Sequence, residues 1–403
     1  MLDDFVTANV AAGTGGIDAS IGFETLRPEN VGVAFNDTLF YFTFFFNAKV
    51  SMADQIALGP ALAIGACGGP PIPFRGGRID ASGAGPFGVP EPQTDLKTTL
   101  GEFSGAGFSQ EDAIGLTVCG HTMGGVHYST FPQIVPESAV GPNNTGGRIA
   151  FDNTVANFDV NVVQQYVGGY DSKGGPLVTT ANEIFRSDLR LYSSDKNATV
   201  EKLAQSSDQF RSTCTTLIAR MIDMVPRSVT LTPIIDPANL KYGNLSLNVA
   251  WSGEMTLSGY FRYIEVATSG SAPESLTVTV IDRYHHVTQT SAQAINDQVD
   301  HSNGVYGSTF HYPFTVSFAG SSGLSGIQVG SQQFTLQDSL FVVPILCSIS
   351  PGLAEYVITQ PTHEFTFNIT AAVSLPLLFY LLSLQTLTNP RPPSSELPLL
   401  LLL

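Results

Sequence analysis

Near residue 228 the hydrophobic pattern of this 403-residue chain changes period, and that change requires two differently built parts. Before it, apolar residues recur at helical spacing. "SMADQIALGPALAIGA" (51–66) opens with Ser51 and, three positions on, Asp54, the pairing in which each side chain satisfies a free amide of a first helical turn. "SQED" (109–112) repeats that form, so a helix is expected from Gln110 through "EDAIGLTVCGHTMGG" until the glycine pair loosens it. "TVEKLAQSSDQFRSTCTTLIARMIDMV" (199–225) reads as a further helix that Pro226 stops. After residue 228, "SVTLTP", "LSLNVAW", "LTVTVIDR", "STFHYPFTVSF" and "EFTFNIT" alternate with a period of two between turn residues. That pattern predicts a β-sandwich of about eight to ten strands. The expected organisation is an all-α domain over 1–228, an all-β, sandwich-like domain over 229–370 and a hydrophobic, Pro-rich tail over 371–403.

Charge narrows the partners. The net charge is −16 and only 13% of residues are charged, which argues against a nucleic-acid partner, since that would need an extended basic face. Five N-x-[ST] sequons, at Asn36, Asn143, Asn197, Asn244 and Asn368, point to a secreted or cell-surface glycoprotein. "MLDDFVTANVAAG" has neither a basic n-region nor an apolar h-region, so an export leader is expected outside this chain. The four cysteines, Cys67, Cys119, Cys214 and Cys347, fit no metal spacing and allow up to two disulfides, with the pairing open. In the tail, "AAVSLPLLFYLLSLQTL" is 17 residues long with Pro376 inside it, short for a span, and makes the C-terminal region a candidate anchor to membrane or cell wall.

"CGHTMGGVH" (119–127) places two histidines in a small, apolar stretch. At about 100° per residue they lie roughly 240° apart on a helix, so they cannot form the i, i+4 pair of a helical metal site. One of them acts alone or neither acts. "RYHH" (283–286), read as strand, sends its histidines to opposite faces, which also rules out joint chelation. The Gly- and Pro-rich loop "ACGGPPIPFRGGRIDASGAGPFGVPEP" has the length of a loop that holds a site or a ligand.

Taken in order, "AAGTGGIDASIGFE", "MADQIALG", "CGGPPIPFRGGRIDA", "GVPEP", "CGHTMGGVH", "FDNTVANFD" and "SDLRLYSSD" resemble the plant-type haem peroxidase superfamily, most closely its fungal secreted branch. The resemblance implies a peroxidase that uses hydrogen peroxide to oxidise a small reducing donor by one-electron steps, with a role in peroxide removal. It implies haem b and two Ca²⁺ as cofactors. His121 of "GHT" takes the place of the iron's axial ligand, Asp188 that of the carboxylate behind its imidazole, and Phe151 that of the ring beside it. His127 is left as a helix-end or surface residue. The only Trp, Trp251, lies in the β part, so electron transfer through a tryptophan of the peroxidase domain is not expected.

The same resemblance assigns a proximal calcium site to Thr122, Asp152, Thr154, Asn157 and Asp159, hard oxygen ligands that suit Ca²⁺. It assigns a distal one to Asp4, Gly16, Asp18 and Ser20. It also exposes a departure. Where the family carries its distal, catalytic His, this sequence has Asp3, and the matching Arg position has no counterpart, so a chain shortened at its N-terminus is expected. Two other functions stay open: a catalytically impaired haem- and calcium-binding surface protein, and a wall- or carbohydrate-binding protein acting through the β domain.

Overall fold

The computed structural model describes residues 2–45, 50–250, 252–265, 271–296, 307–335, 340–342, 348–349, 367–375 and 378–384. Trp251, Cys347 and tail residues 385–403 lie outside them. The chain divides into two compact units, the first running to Pro237 and the second beginning at Ala238.

In the first unit the helices are α1 (Leu2–Val6), α2 (Ala34–Thr43), α3 (Met52–Ala66), α4 (Leu96–Gly105), α5 (Gln110–His121), α6 (Asn161–Gly168), α7 (Pro176–Thr179), α8 (Ser187–Tyr192), α9 (Ala198–Ala204) and α10 (Ser207–Ile222). The unit is not all-α, because β1 (Gly125–His127) and β2 (Arg148–Ala150) form an antiparallel ribbon just after α5. The sequence pattern missed strands this short, since three residues carry no readable period.

Helix α5 begins as its capping box requires. Ser109 Oγ accepts from the Asp112 amide at 3.1 Å, and Asp112 Oδ2 accepts from the Ser109 amide at 3.0 Å. Its residues Ala113, Ile114, Leu116, Val118 and Cys119 are buried, so the helix runs through the core, and truncating Ile114 to Ala would cost about 2–5 kcal/mol. A disulfide joins Cys119 to Cys214 of α10. It selects one pairing among those the sequence left open.

At α3 the expected reciprocal cap is only half formed. Ser51 Oγ accepts from the Asp54 amide at 3.0 Å, but the Asp54 carboxylate turns away to the Arg78 guanidinium at 2.9 Å and to the amides of Gly77 and Arg78. Asp80, from the same loop, instead caps the amides of Met52 and Ala53 at 3.0 and 2.8 Å. A buried arginine thus redirected the cap. The single helix expected over 199–225 is two, because Ser206 starts α10 by accepting from the Gln209 amide.

The stretch "SVTLTP" joins no sheet. Thr232 and Ile235 donate to the carbonyls of Gly76 and Phe74 at 2.9 and 2.8 Å, so this segment belongs to the first unit.

The second unit is β-rich. One sheet orders β3 (Leu240–Val249), β4 (Glu254–Ile264), β8 (Thr309–Ala319) and β7 (Ile295–Asn296). Another orders β10 (Gln332–Thr335), β9 (Gly326–Val329), β5 (Ser275–Ile281) and β6 (Val287–Gln293). Alternate residues from the two sheets, including Leu257, Phe261, Val278, Val280, Phe314 and Ile327, share one hydrophobic cluster. Further on, β13 (Phe367–Leu375) pairs with β11 (Leu340–Val342), β12 (Ser348–Ile349) and β14 (Leu378–Leu384). No helix among the described residues is long and apolar enough to cross a membrane.

"RYHH" is not a strand. It lies in the turn between β5 and β6, where Asp282 Oδ1 accepts from the amides of Tyr284 and His286, and Asp282 Oδ2 lies 3.0 Å from His286 Nδ1. His285 has a φ of 66°, which breaks the alternation that the sequence suggested.

Candidate functional site

His121 is the last residue of α5, where the helix delivers its ring to the wall of a cavity of about 490 Å³. Apolar groups from several elements line that cavity, among them Pro60, Ile64, Phe103, Leu116, Leu177 and Met221. A mostly apolar enclosure of this size with few polar groups has the form of a cofactor or ligand site.

The ring of His121 is held from two sides. Its Nδ1 lies 2.7 Å from Oδ2 of Asp188, at the start of α8. A carboxylate can only accept, so in the neutral ring the contact selects the tautomer with the proton on Nδ1 and the lone pair on Nε2. Asp188 is 2% exposed. Its Oδ1 accepts from Ser187 Oγ at 3.2 Å, and its Oδ2 also accepts from the Tyr192 hydroxyl at 3.4 Å. Burial, with the Asp188 charge second, pushes the Tyr192 phenol well above its ordinary range, so it remains a donor. Phe151 stacks on the imidazole with ring centres 4.2 Å apart and planes 3° from parallel. Gly175, at φ 90°, makes room for it, since a Cβ there would stand 2.6 Å from the Phe151 Cα. The fold brings His121, Asp188 and Phe151 together, whereas His127 sits exposed on β1, not at a helix end.

Directly after His121, Thr122 ties the helix end to a loop. Its hydroxyl donates to the Asp159 carbonyl at 2.5 Å and accepts from the Asp159 amide at 3.3 Å. In that loop Thr154 Oγ1 lies 3.1 Å from Asp152 Oδ1 and 3.2 Å from Asp159 Oδ1. One hydroxyl proton cannot serve two carboxylates. Asp152 Oδ2 is buried with no hydrogen-bond partner, and burial raises its carboxyl above the usual range. Asn157 closes the loop by donating its amide to the Thr154 carbonyl at 2.8 Å.

The other predicted oxygen cluster is arranged differently. Asp4 is fully buried, and its two carboxylate oxygens take four donors: the amides of Asp18, Ala19 and Ile21 and the Ser20 hydroxyl, at 3.1–3.2 Å. A carboxylate has about four lone-pair sites, and all are used. Gly16 sits in this turn at φ 106°, where a Cβ would meet the Met224 carbonyl oxygen at 2.6 Å. Asp3 lies beside these residues in α1, and burial raises its carboxyl. The cavity is lined by its neighbour Leu2.

Sequence reasoning missed Arg190. Its guanidinium donates to the carbonyls of Pro92, Thr94, Glu183 and Ile184 at 2.6–3.3 Å, which pins the "VPEP" loop against α8 along the cavity wall. The signal was its place in "SDLRLY", two residues after Asp188.

Residues 3–206 match the sequence model of the family described as Peroxidase. Among curated proteins, a WSC domain-containing protein of Arthroderma benhamiae (strain ATCC MYA-4681 / CBS 112371) is 46% identical over 255 residues, which are 62% of this chain and 34% of that protein. L-ascorbate peroxidase 5, peroxisomal, of Arabidopsis thaliana is 37% identical over 123 residues, 28% of this chain and 41% of that one. Peroxidase 45 of the same plant is 28% identical over 193 residues, 43% and 58% of the two chains. The chain therefore spans about a third to somewhat over half of the length of these relatives.

Proposed function

The chain belongs to the peroxidase family, within the plant-type haem superfamily, and from that premise we propose that it is a haem peroxidase in which His121 holds the iron. The observation that carries this reading is the 2.7 Å contact between His121 Nδ1 and Asp188. It fixes the tautomer, leaves Nε2 as the free ligand atom, and makes the imidazole more basic. Phe151 holds the ring plane, Ser187 and Tyr192 hold Asp188, and the walls around the site are mostly apolar. A haem bound there would supply the redox chemistry, reducing hydrogen peroxide at the expense of an organic donor that gives up single electrons.

Calcium at the proximal loop fits the residues present. The unpartnered Asp152 oxygen and the close oxygens around Thr154 support that reading, and Thr122 would pass the cation's hold to the helix that carries His121. A second calcium at Asp4, Gly16, Asp18 and Ser20 rests on the family resemblance alone, because the Asp4 oxygens are already saturated. For location we propose secretion or the cell surface, supported by the sequons, of which Asn36, Asn143 and Asn244 are exposed.

The test is reconstitution of the 403-residue chain with haem. A Soret band, together with peroxide-dependent oxidation of a phenolic donor, is the expected result. One observation favours a second reading, a haem- and calcium-binding protein of impaired turnover: a carboxylate, Asp3, stands where the family's catalytic His is expected. A Soret band without turnover would select that reading, and no haem uptake would overturn both.

A further inference from the structure

The sheet built on β4 has an outer face whose chemistry the peroxidase reading does not use. Cross-strand partners point to the same side of a sheet. Met255, Leu257 and Phe261 of β4 are buried, so the alternate residues face outward. On that side the register brings Lys241 of β3, Arg262 of β4 and His311 of β8 into one row. The neighbouring row holds Tyr260 opposite Gly243. A Cβ at Gly243 would lie 2.6 Å from the Tyr260 Cζ and 2.7 Å from its hydroxyl oxygen, so the phenol lies down across the glycine. The His311 ring meets it edge-on at 4.9 Å. Beyond Tyr260 the rows turn to hydroxyls, with Ser258 opposite Thr315 and Thr256 opposite Ser317.

The basic row is unexpected on electrostatic grounds. The chain has a net charge of −16, and positions 238–403 hold only four Lys and Arg residues: Lys241, Arg262, Arg283 and Arg391. Two of the four stand directly opposite one another on adjacent strands. Like charges so placed repel. Among the described residues neither forms an ion pair; Arg262 Nη2 donates to the Ala238 carbonyl at 2.8 Å, and its Nε is buried without a partner. An anion over the row would offset the repulsion between Lys241 and Arg262.

We infer that this face binds an acidic polysaccharide, a polymer of carboxylate-bearing sugars. The carboxylates pair with Lys241 and Arg262, the apolar face of a sugar ring lies on Tyr260, and sugar hydroxyls exchange hydrogen bonds with the Ser and Thr rows. A neutral glycan would leave the basic row uncompensated. The assignment is independent of haem.

Affinity electrophoresis of the full chain through gels holding polygalacturonate or a neutral β-glucan tests it, beside flotation with vesicles of phosphatidylcholine and phosphatidylserine. Polygalacturonate alone should retard the protein, and added salt should weaken the effect, because screening acts on exposed charges. Lys241→Glu should weaken retardation roughly tenfold or more, as expected for inverting one charge of such a contact. The same variant should melt at a higher temperature, since Glu would face Arg262 in place of a like charge. A gain in stability with a loss of binding separates recognition from folding. Equal retardation by the neutral glucan, binding to vesicles alone, or full retardation of Lys241→Glu would each overturn the assignment.

Discussion

His121 Nδ1 and Asp188 Oδ2 stand 2.7 Å apart although 67 residues separate them in the chain. The contact joins the C-terminal end of α5 to the N-terminal turn of α8 and directs the other ring nitrogen away from the carboxylate. Its two partners should therefore fail in different ways. His121→Ala should abolish haem uptake, read as loss of the Soret band. Asp188→Asn should keep haem but raise the iron reduction potential, because a neutral partner leaves the imidazole less electron-rich. An unchanged potential would sink the role given to Asp188.

Calcium should raise the melting temperature of the chain through the loop of residues 152–159, and prolonged chelation should lower it. Asp152→Ala should remove most of that response, since the buried Oδ2 has no other partner to lose. Should Asp152→Ala melt with an undiminished calcium response, the cation is held elsewhere and the loop is structural.

The disulfide between Cys119 and Cys214 closes a separation of 95 residues, two positions before His121. Removing it by Cys119→Ala with Cys214→Ala should cost about 2–5 kcal/mol in denaturant unfolding. Because Cys119 also lines the cavity, haem affinity should fall with stability. Unaltered affinity in the destabilised variant would mean that the cavity does not depend on the tie.

Glu102 of α4 gives a pH signature. Burial, with the charges of Asp95 and Glu29 behind it, pushes its carboxyl up from 4.5 to about 7, and its Oε2 is buried without a partner. The folded state therefore keeps a proton that the unfolded chain releases earlier. The stability from this group is fully present below pH 4.5 and is lost as pH rises through about 7. Glu102→Gln should match the parent chain at pH 4 and melt at a higher temperature at pH 8. A gap that does not change across that range would show that Glu102 ionises normally.

The sequence by itself determined what depends on neighbours along the chain. The change of hydrophobic period separated a helical part from a β part, because periods of 3.6 and 2 follow from local backbone geometry. Ser109 and Asp112 started α5 where they stand, since both halves of that cap lie within one turn. The motif order singled out His121, Phe151 and Asp188. Only the tertiary structure decided what depends on partners distant in sequence. Asp54 gave up its cap to Arg78, 24 residues on; Cys119 took Cys214; the helix expected over 199–225 broke at Ser206. The row of Lys241, Arg262 and His311 exists only through strand register, which no single strand encodes. Local signals fix each element, but burial and pairing free energies are realised only when elements meet, so the site's residue types were legible while its contacts were not.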